Sequence, residues 1–281
     1  MVILSKFVAP MKNKKFIDVA GLIASKNPKL AKRLPKFIIK YLERILHQDE
    51  INEFIIENGH LYDHEFCTAI INYFNITIKI EGIENIPVEG PAIVTMNHPL
   101  GGMDAIAFVH SLKDHRKDIR FIVNDLLLSL ENLKNLFVGV NKHGKNRTET
   151  RKDIENLFHS DHLVCIFPAG MVSRRKKGMI RDLEWKKTFV GYAKKLQTPV
   201  IPVFIDGELS NFFYNLSNLR SSLGIKSNLE MLYLSNELFK QRNRTMIFKI
   251  GKAIQLPENE TNEVELANLI KSKVYELEKN N

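Results

Sequence analysis

The chain has 281 residues, 44% apolar and 26% charged, with a formal net charge of +9. That length and composition allow one large α/β domain, or a domain of about 200 residues with a helical extension, and they exclude the disordered class. The excess of Lys and Arg favours a polyanion (nucleic acid, an anionic membrane face or a phosphorylated substrate), unless it serves only solubility.

The start, MVILSKFVAPMKNKK, is broken by Lys6, Pro10 and Lys12 and does not read as a signal peptide. No apolar run in the chain reaches the roughly 18 residues of a bilayer span, so membrane contact would be peripheral. Residues 1–75 read as helices with short breaks. Asn27-Pro28 reads as a cap followed by Pro at the first helical position. After Pro35, the residues Phe37, Ile38, Tyr41, Leu42, Ile45 and Leu46 recur at helical spacing, with Lys36, Lys40, Glu43 and Arg44 on the other side. A third helix covers 50–57 and stops near Gly59; a fourth runs over 64–74 with Asp63 as its cap. This region is equally a membrane face, an acyl-chain cover or an ordinary helical layer.

The pattern changes at residue 76, where ITIKIEG alternates as a strand does. PAIVTMN, RFIVND, LFVGVN, HLVCIFP, PVIPVFID and RTMIFKIGKA follow as strands. Helical stretches lie near 104–113, 125–135, 148–159, 184–196, 210–222, 229–240 and 262–278. The alternation predicts an α/β fold, a mostly parallel central sheet flanked by helices, over 76–281, with residues 1–75 as an N-terminal helical extension. Cys67 and Cys165 are far apart without metal-ligand spacing, so neither a disulfide framework nor a metal site is expected, and the setting reads as reducing and cytoplasmic.

Two segments carry chemistry. Asn97-His98-Pro99-Leu100-Gly101-Gly102-Met103-Asp104 follows a strand and opens a helix. Its double glycine permits a tight loop that returns Asp104 to His98. A carboxylate on one imidazole nitrogen would set the tautomer, freeing the other nitrogen to deprotonate a hydroxyl or amine. The bland alternative is a loop histidine beside an Asp that only caps the helix. The second segment is Phe167-Pro168-Ala169-Gly170-Met171-Val172-Ser173-Arg174-Arg175-Lys176-Lys177-Gly178. Gly170 allows close approach of a substrate, and Ser173 and the basic run would hold phosphate or carboxylate; otherwise this is a solvated basic loop. Cys165 reads as core, and Trp185 as core or interface.

These segments, followed by Pro199-Val200-Ile201-Pro202-Val203, resemble the lysophospholipid (glycerolipid) acyltransferase family over roughly residues 76–255. That family shows Asn-His ahead of an Asp, then Phe-Pro-Glu-Gly-Thr-Arg-Ser, then Val-Ile-Pro-Val. IEGIENIPVEGPAIVTMNH is similar to its lead-in. Here five residues separate His98 from Asp104, one more than usual. Ala169 replaces the family's glutamate and Met171-Val172 its Thr-Arg, which puts the usual glycerol-3-phosphate contacts in question. The arginine of the second motif has no match in Val138–Asn141, and Arg147 is the candidate substitute. Asn-His-Pro-Leu-Gly-Gly-x-Asp, Phe-Pro-Ala-Gly-x-x-Ser-Arg and Asp182-Leu183-Glu184-Trp185 look closest to a hemolysin-like branch that includes ornithine- and glycine-lipid acyltransferases.

The resemblance implies an acyltransferase with His98 as base and Asp104 as its orienting partner. Asn97, Gly101, Gly102, Phe167, Pro168, Gly170, Ser173 and Arg174 would bind substrate, with Arg175, Lys176 and Arg147 behind them. Backbone N–H groups near Gly170 would steady the oxyanion. Acyl carrier protein or coenzyme A would bring the acyl thioester, with no cofactor, metal or covalent intermediate. The acceptor would be a lyso-lipid or an acylated amino acid, met at the cytoplasmic face of the inner membrane on an anionic surface. The rival readings are a nucleic-acid binder, for which no motif appears, and a metal-dependent hydrolase, for which only two ligands are close. A third is a catalytically inactive lipid-binding or membrane-lytic protein.

Overall fold

The computed structural model describes residues 15–123, 130–139, 147–259 and 261–279, Arg147 in its backbone only. It divides into two compact units, Met1–His60 and Leu61–Asn281. The described part of the first holds α1 (Val19–Lys26), α2 (Pro28–Arg33), α3 (Lys36–Ile45) and α4 (Gln48–Asn58). Asn27 caps α2 as predicted, its side chain accepting the Leu30 N–H at 3.0 Å ahead of Pro28. Gln48 accepts the Val19 N–H, and Asn52 exchanges two hydrogen bonds with the backbone of Ile17, so α4 fixes the entry to α1.

The second unit opens with α5 (Asp63–Phe74). The division therefore falls at His60–Leu61, ahead of the boundary expected near residue 75, because α5 packs on α6 (Gly102–Ser111) within the second unit. The N-cap is Tyr62 rather than Asp63, whose carboxylate instead accepts from Asn135 at 2.9 Å. The strands are β1 (Thr77–Glu81), β2 (Ala92–Met96), β3 (Ile119–Val123), β4 (Phe137–Gly139), β5 (Leu163–Ile166), β6 (Arg174–Lys176), β7 (Met179–Arg181), β8 (Val200–Asp206) and β9 (Thr245–Ile250). The remaining helices are α7 (Arg147–Phe158), α8 (Thr188–Leu196), α9 (Asn211–Ser222), α10 (Leu234–Phe239) and α11 (Glu263–Glu276).

Seven strands form one sheet in the order β1-β9-β8-β2-β5-β3-β4. The five from β8 to β4 are parallel; β9 is antiparallel to β8 and parallel to β1, so the sheet is mostly parallel. Every residue of β2 and β5 is buried, as strands covered on both faces require. On one face Ile93, Val164, Ile166 and Val200 meet Phe189 and Val190 of α8 and Ile270 and Val274 of α11. On the other, Phe108 of α6 packs against Phe121 and Phe248. Each such large apolar side chain contributes about 1.5–3 kcal/mol by leaving water. The site therefore rests on a rigid three-layer base.

The seven sheet strands lie where the alternation placed them. The β6–β7 hairpin was not foreseen. Its two-residue turn is Lys177-Gly178, both at positive φ (49° and 79°), the conformation that suits the twist of paired strands. It displaces the start of α8 from the expected 184 to Thr188. The expected helix at 125–135 and the end of the strand at 136–141 lie partly outside the described residues.

Candidate active site

β2 ends at Met96, in the middle of the sheet, and the chain leaves its carboxyl end. That end of a parallel sheet is where crevices open and ligands bind. Asn97 is buried and extends the β2–β8 pairing: its amide donates to the Ile205 carbonyl at 2.9 Å and accepts the Ile205 N–H at 2.7 Å. These bonds fix where the loop departs, and Asn97, expected to touch substrate, also lines the adjoining cavity. Gly101 then turns the chain at φ 73°, and α6 begins at Gly102. The φ at Gly101 favours glycine, and a side chain there would also press on Leu234 of α10.

This turn places Asp104 in the first turn of α6, where its Oδ2 accepts from His98 Nδ1 at 2.9 Å and from the Leu100 N–H at 3.0 Å. The carboxylate holds the imidazole and the loop backbone at Leu100, and it makes no cap hydrogen bond to α6. Five intervening residues suffice because the double glycine closes the loop. Asp104 is fully buried, and its Oδ1 has no partner among the described residues. Burial pushes its carboxyl above the usual carboxylate range, against hydrogen bonds from His98 and Leu100 that pull it down. The His98 side chain keeps 17% exposure, and its Nε2 has no hydrogen-bond partner among the described residues. Phe167 lies flat against the imidazole, ring centroids 4.0 Å apart at 21°. The ring is thus clamped by a carboxylate at one nitrogen and an aromatic face, with the other nitrogen uncommitted.

A second buried carboxylate, Asp182, organises the same loop from behind. Its Oδ1 accepts the backbone N–H of His98 at 3.1 Å and the Ser173 hydroxyl at 2.5 Å, and its Oδ2 accepts from Trp185 Nε1 at 2.8 Å. The Ser173 N–H in turn donates to the His98 carbonyl at 2.8 Å. Sequence reasoning noted Asp182 and Trp185 but gave Asp182 no role. The available signal was a pair of acids, Asp182 and Glu184, in a segment of seven basic residues, followed by the only tryptophan.

The remaining expected residues divide sharply. Ser173 and Arg174 are buried and face the scaffold: Arg174 donates to Glu230 Oε1 at 2.9 Å, and Glu230 also receives Arg220 at 2.7 Å. Burial pushes the Glu230 carboxyl up, but its arginine partners and its own backbone outweigh this and bring it below the usual range. Gly170 stands exposed at φ 66°, and its N–H donates to the Phe167 carbonyl at 2.9 Å, so it is not itself available to an oxyanion. Pro168 is buried, its carbonyl accepting the Lys186 N–H at 3.0 Å. Arg175 is half-buried over the ring of Tyr214 and pairs with Glu208 at 3.2 Å; Lys176 is exposed. The Arg147 side chain lies outside the described residues. Cys165 is buried in β5, where burial pushes its thiol well above the usual range, and Trp185 is core.

A cavity of about 590 Å³ adjoins this loop. Its wall includes Asn97 and Pro99, on either side of His98, and Ser173, while His98 and Asp104 do not line it. The ends of β8 and β9 and the β6–β7 hairpin supply the rest.

A family model described as Acyltransferase matches residues 21–281. The lyso-glycine lipid O-acyltransferase of Bacteroides thetaiotaomicron is 42% identical over 264 residues, 93% of this chain and 97% of that protein. The lyso-glycine lipid O-acyltransferase of Phocaeicola vulgatus is 39% identical over 264 residues, covering 93% and 95%. Among solved structures, the 1-acyl-sn-glycerophosphate acyltransferase of Thermotoga maritima aligns with a TM-score of 0.48 at 19% identity, covering 93% and 94%.

Proposed function

The chain belongs to the acyltransferase family, and from that premise we propose that it acylates the hydroxyl of a lyso amino-acid lipid with His98 as the general base. The observation that carries this reading is the His98–Asp104 pair, 2.9 Å apart at Nδ1 with Nε2 uncommitted. Asp104 holds the proton on Nδ1, so Nε2 presents its lone pair to the acceptor hydroxyl. As the hydroxyl oxygen attacks the thioester carbonyl, Nε2 takes its proton and the buried Asp104 charge balances the imidazolium. The tetrahedral oxyanion collapses, the C–S bond breaks, and the imidazolium returns the proton to the leaving sulfur. An ester forms and a thiol departs, with the histidine restored.

The acyl donor in this scheme is acyl carrier protein or coenzyme A. Phe167 keeps the imidazole in plane. Because the Gly170 N–H is committed to Phe167, the next N–H groups along that turn are the candidate oxyanion donors. Arg174 acts as a positioning residue through Glu230, and Asn97 and Ser173 position the His98 loop from the wall of the adjoining cavity.

We place the enzyme peripherally on an anionic membrane at the cytoplasmic face of the inner membrane, where lyso-lipids reside. No helix among the described residues is long and apolar enough to cross a bilayer. Two exposed features support surface contact. On α3, Phe37 is 71% exposed beside Lys36, Lys40 and Arg44. On α9 and its C-cap, Phe212, Leu219 and Leu223 are exposed, and α9 itself carries no acid.

Lipid profiling of cells carrying the wild-type chain or His98→Ala tests the proposal. Loss of a diacylated amino-acid lipid in the variant is expected. A change confined to phosphatidic acid would move the acceptor to a lysophospholipid. Identical lipids in both strains would leave the inactive lipid-binding reading.

A further inference from the structure

The cavity beside His98 has no part in the proton transfer just described. Its wall carries three cations, Arg175, Arg181 and Arg244, and three acids, Asp206, Glu208 and Glu278. Four of these six are matched to one another: Arg175 with Glu208 at 3.2 Å, and Arg181 with Glu278 at 2.6 Å. Arg244 and Asp206 have no side-chain partner among the described residues. They come from neighbouring strands at the same end of the sheet, Arg244 just ahead of β9 and Asp206 at the end of β8, where it pairs with Ile247. The cavity thus offers one uncommitted guanidinium and one uncommitted carboxylate. It starts at Asn97, Pro99 and Ser173, against the loop that holds the base.

We propose that this cavity is the head-group subsite of the acceptor, with Arg244 meeting the free carboxylate of an N-acylated amino acid and Asp206 accepting its amide N–H. This rests on the acyl-transfer reading above and names the substrate class of that site. Glycine has no hydroxyl, so a lyso lipid built on it and acylated on oxygen must carry its hydroxyl on the N-linked fatty chain. Its head group is then a carboxylate next to an amide N–H, a monoanion with one donor. A guanidinium forks onto a carboxylate, and an aspartate accepts an N–H. A phosphate dianion offers no donor and would be repelled by Asp206. The mixed signs of the wall therefore select the acylated amino acid over a lysophosphatidic acceptor, while the chain-borne hydroxyl reaches back past Pro99 to His98.

The test is steady-state kinetics of Arg244→Gln with a lyso-glycine lipid and with the same lipid amidated at its carboxylate. Arg244 is exposed, so the variant should fold, and its melting temperature is checked. The KM for the carboxylate acceptor should rise about tenfold or more, as loss of a charge-assisted contact requires, with kcat and the donor KM little changed. The amidated acceptor should be poor with the wild type and no worse with the variant, and Arg244→Lys should recover part of the loss. An equal loss on both acceptors, or a rise in the donor KM instead, would overturn the subsite. Calorimetric binding of an N-acylglycine and its amide separates the two claims. If the wild type binds the acid selectively and Arg244→Gln does not, the subsite stands even without turnover. Equal binding of acid and amide overturns it.

Discussion

Two loops leave the carboxyl ends of neighbouring strands, one after β2 and one after β5, and they use their polar residues in opposite ways. The loop Asn97–Asp104 is short and closed by Gly101, and it brings His98 and Asp104 together with one imidazole nitrogen left open. The loop Phe167–Trp185 is long and richly basic, yet its motif residues Ser173 and Arg174 are buried against Asp182 and Glu230. Its contribution to the site is an aromatic face and a carboxylate that grips the His98 backbone. The first loop leaves a side-chain nitrogen open, and the second holds the first in place while its hairpin lines the cavity. Polar residues near a reacting group serve it from two distances, and the motif alone does not say which.

Substitutions can break this comparison, and the largest effect belongs to the first loop. Asp104→Asn should lower turnover by roughly 10³- to 10⁴-fold, because an amide no longer holds the Nδ1–H tautomer or balances the imidazolium. Its stability should be kept or raised. Asp104 binds its proton more tightly in the native state than in the unfolded one, so stability falls as pH rises from the unfolded pKa to the folded one. The Asn variant lacks that slope, which thermal melts across the acid range would show. A variant that melted far lower at neutral pH would reduce Asp104 to a loop clamp.

Asp182→Asn comes next. It loosens the His98 backbone and the Ser173 and Trp185 contacts without touching the imidazole. Turnover should drop about 10- to 100-fold, the scale of a displaced catalytic group, with a stability loss of roughly 1–3 kcal/mol. Full activity with lowered stability would confine Asp182 to folding. The smallest catalytic effect is expected at Arg174→Met. Removing one partner of the buried Glu230 should cost roughly 1.5–3 kcal/mol in denaturant unfolding, with kcat and KM unchanged per folded molecule. A large rise in the acceptor KM would instead return Arg174 to the substrate-binding role its motif implies.

The legible parts were those whose cause is local. Alternation in ITIKIEG and the apolar runs PAIVTM and LVCI mark β1, β2 and β5 because a pleat or a doubly covered strand imposes those patterns on its own residues. Asn27-Pro28 marks the start of α2 for the same reason. The hairpin was missed because RRKKGMIR reads as a charge run. Only the turn at Lys177-Gly178 betrays two short strands whose arginines have partners elsewhere in the chain. The cap at Asp63 was misread because Asn135, 72 positions away, takes its carboxylate.

By itself, then, the sequence determined the order of the seven sheet strands and the His98–Asp104 pair, since periodicity and a five-residue loop with two glycines are short-range constraints. Tertiary structure alone decided that Asp182 holds His98, that Arg174 faces Glu230, and that Arg244 and Asp206 share a cavity wall. These partners lie tens of residues apart in the chain. Where a charge is satisfied depends on which groups the packed sheet brings within about 3 Å, a distance that sequence spacing does not encode.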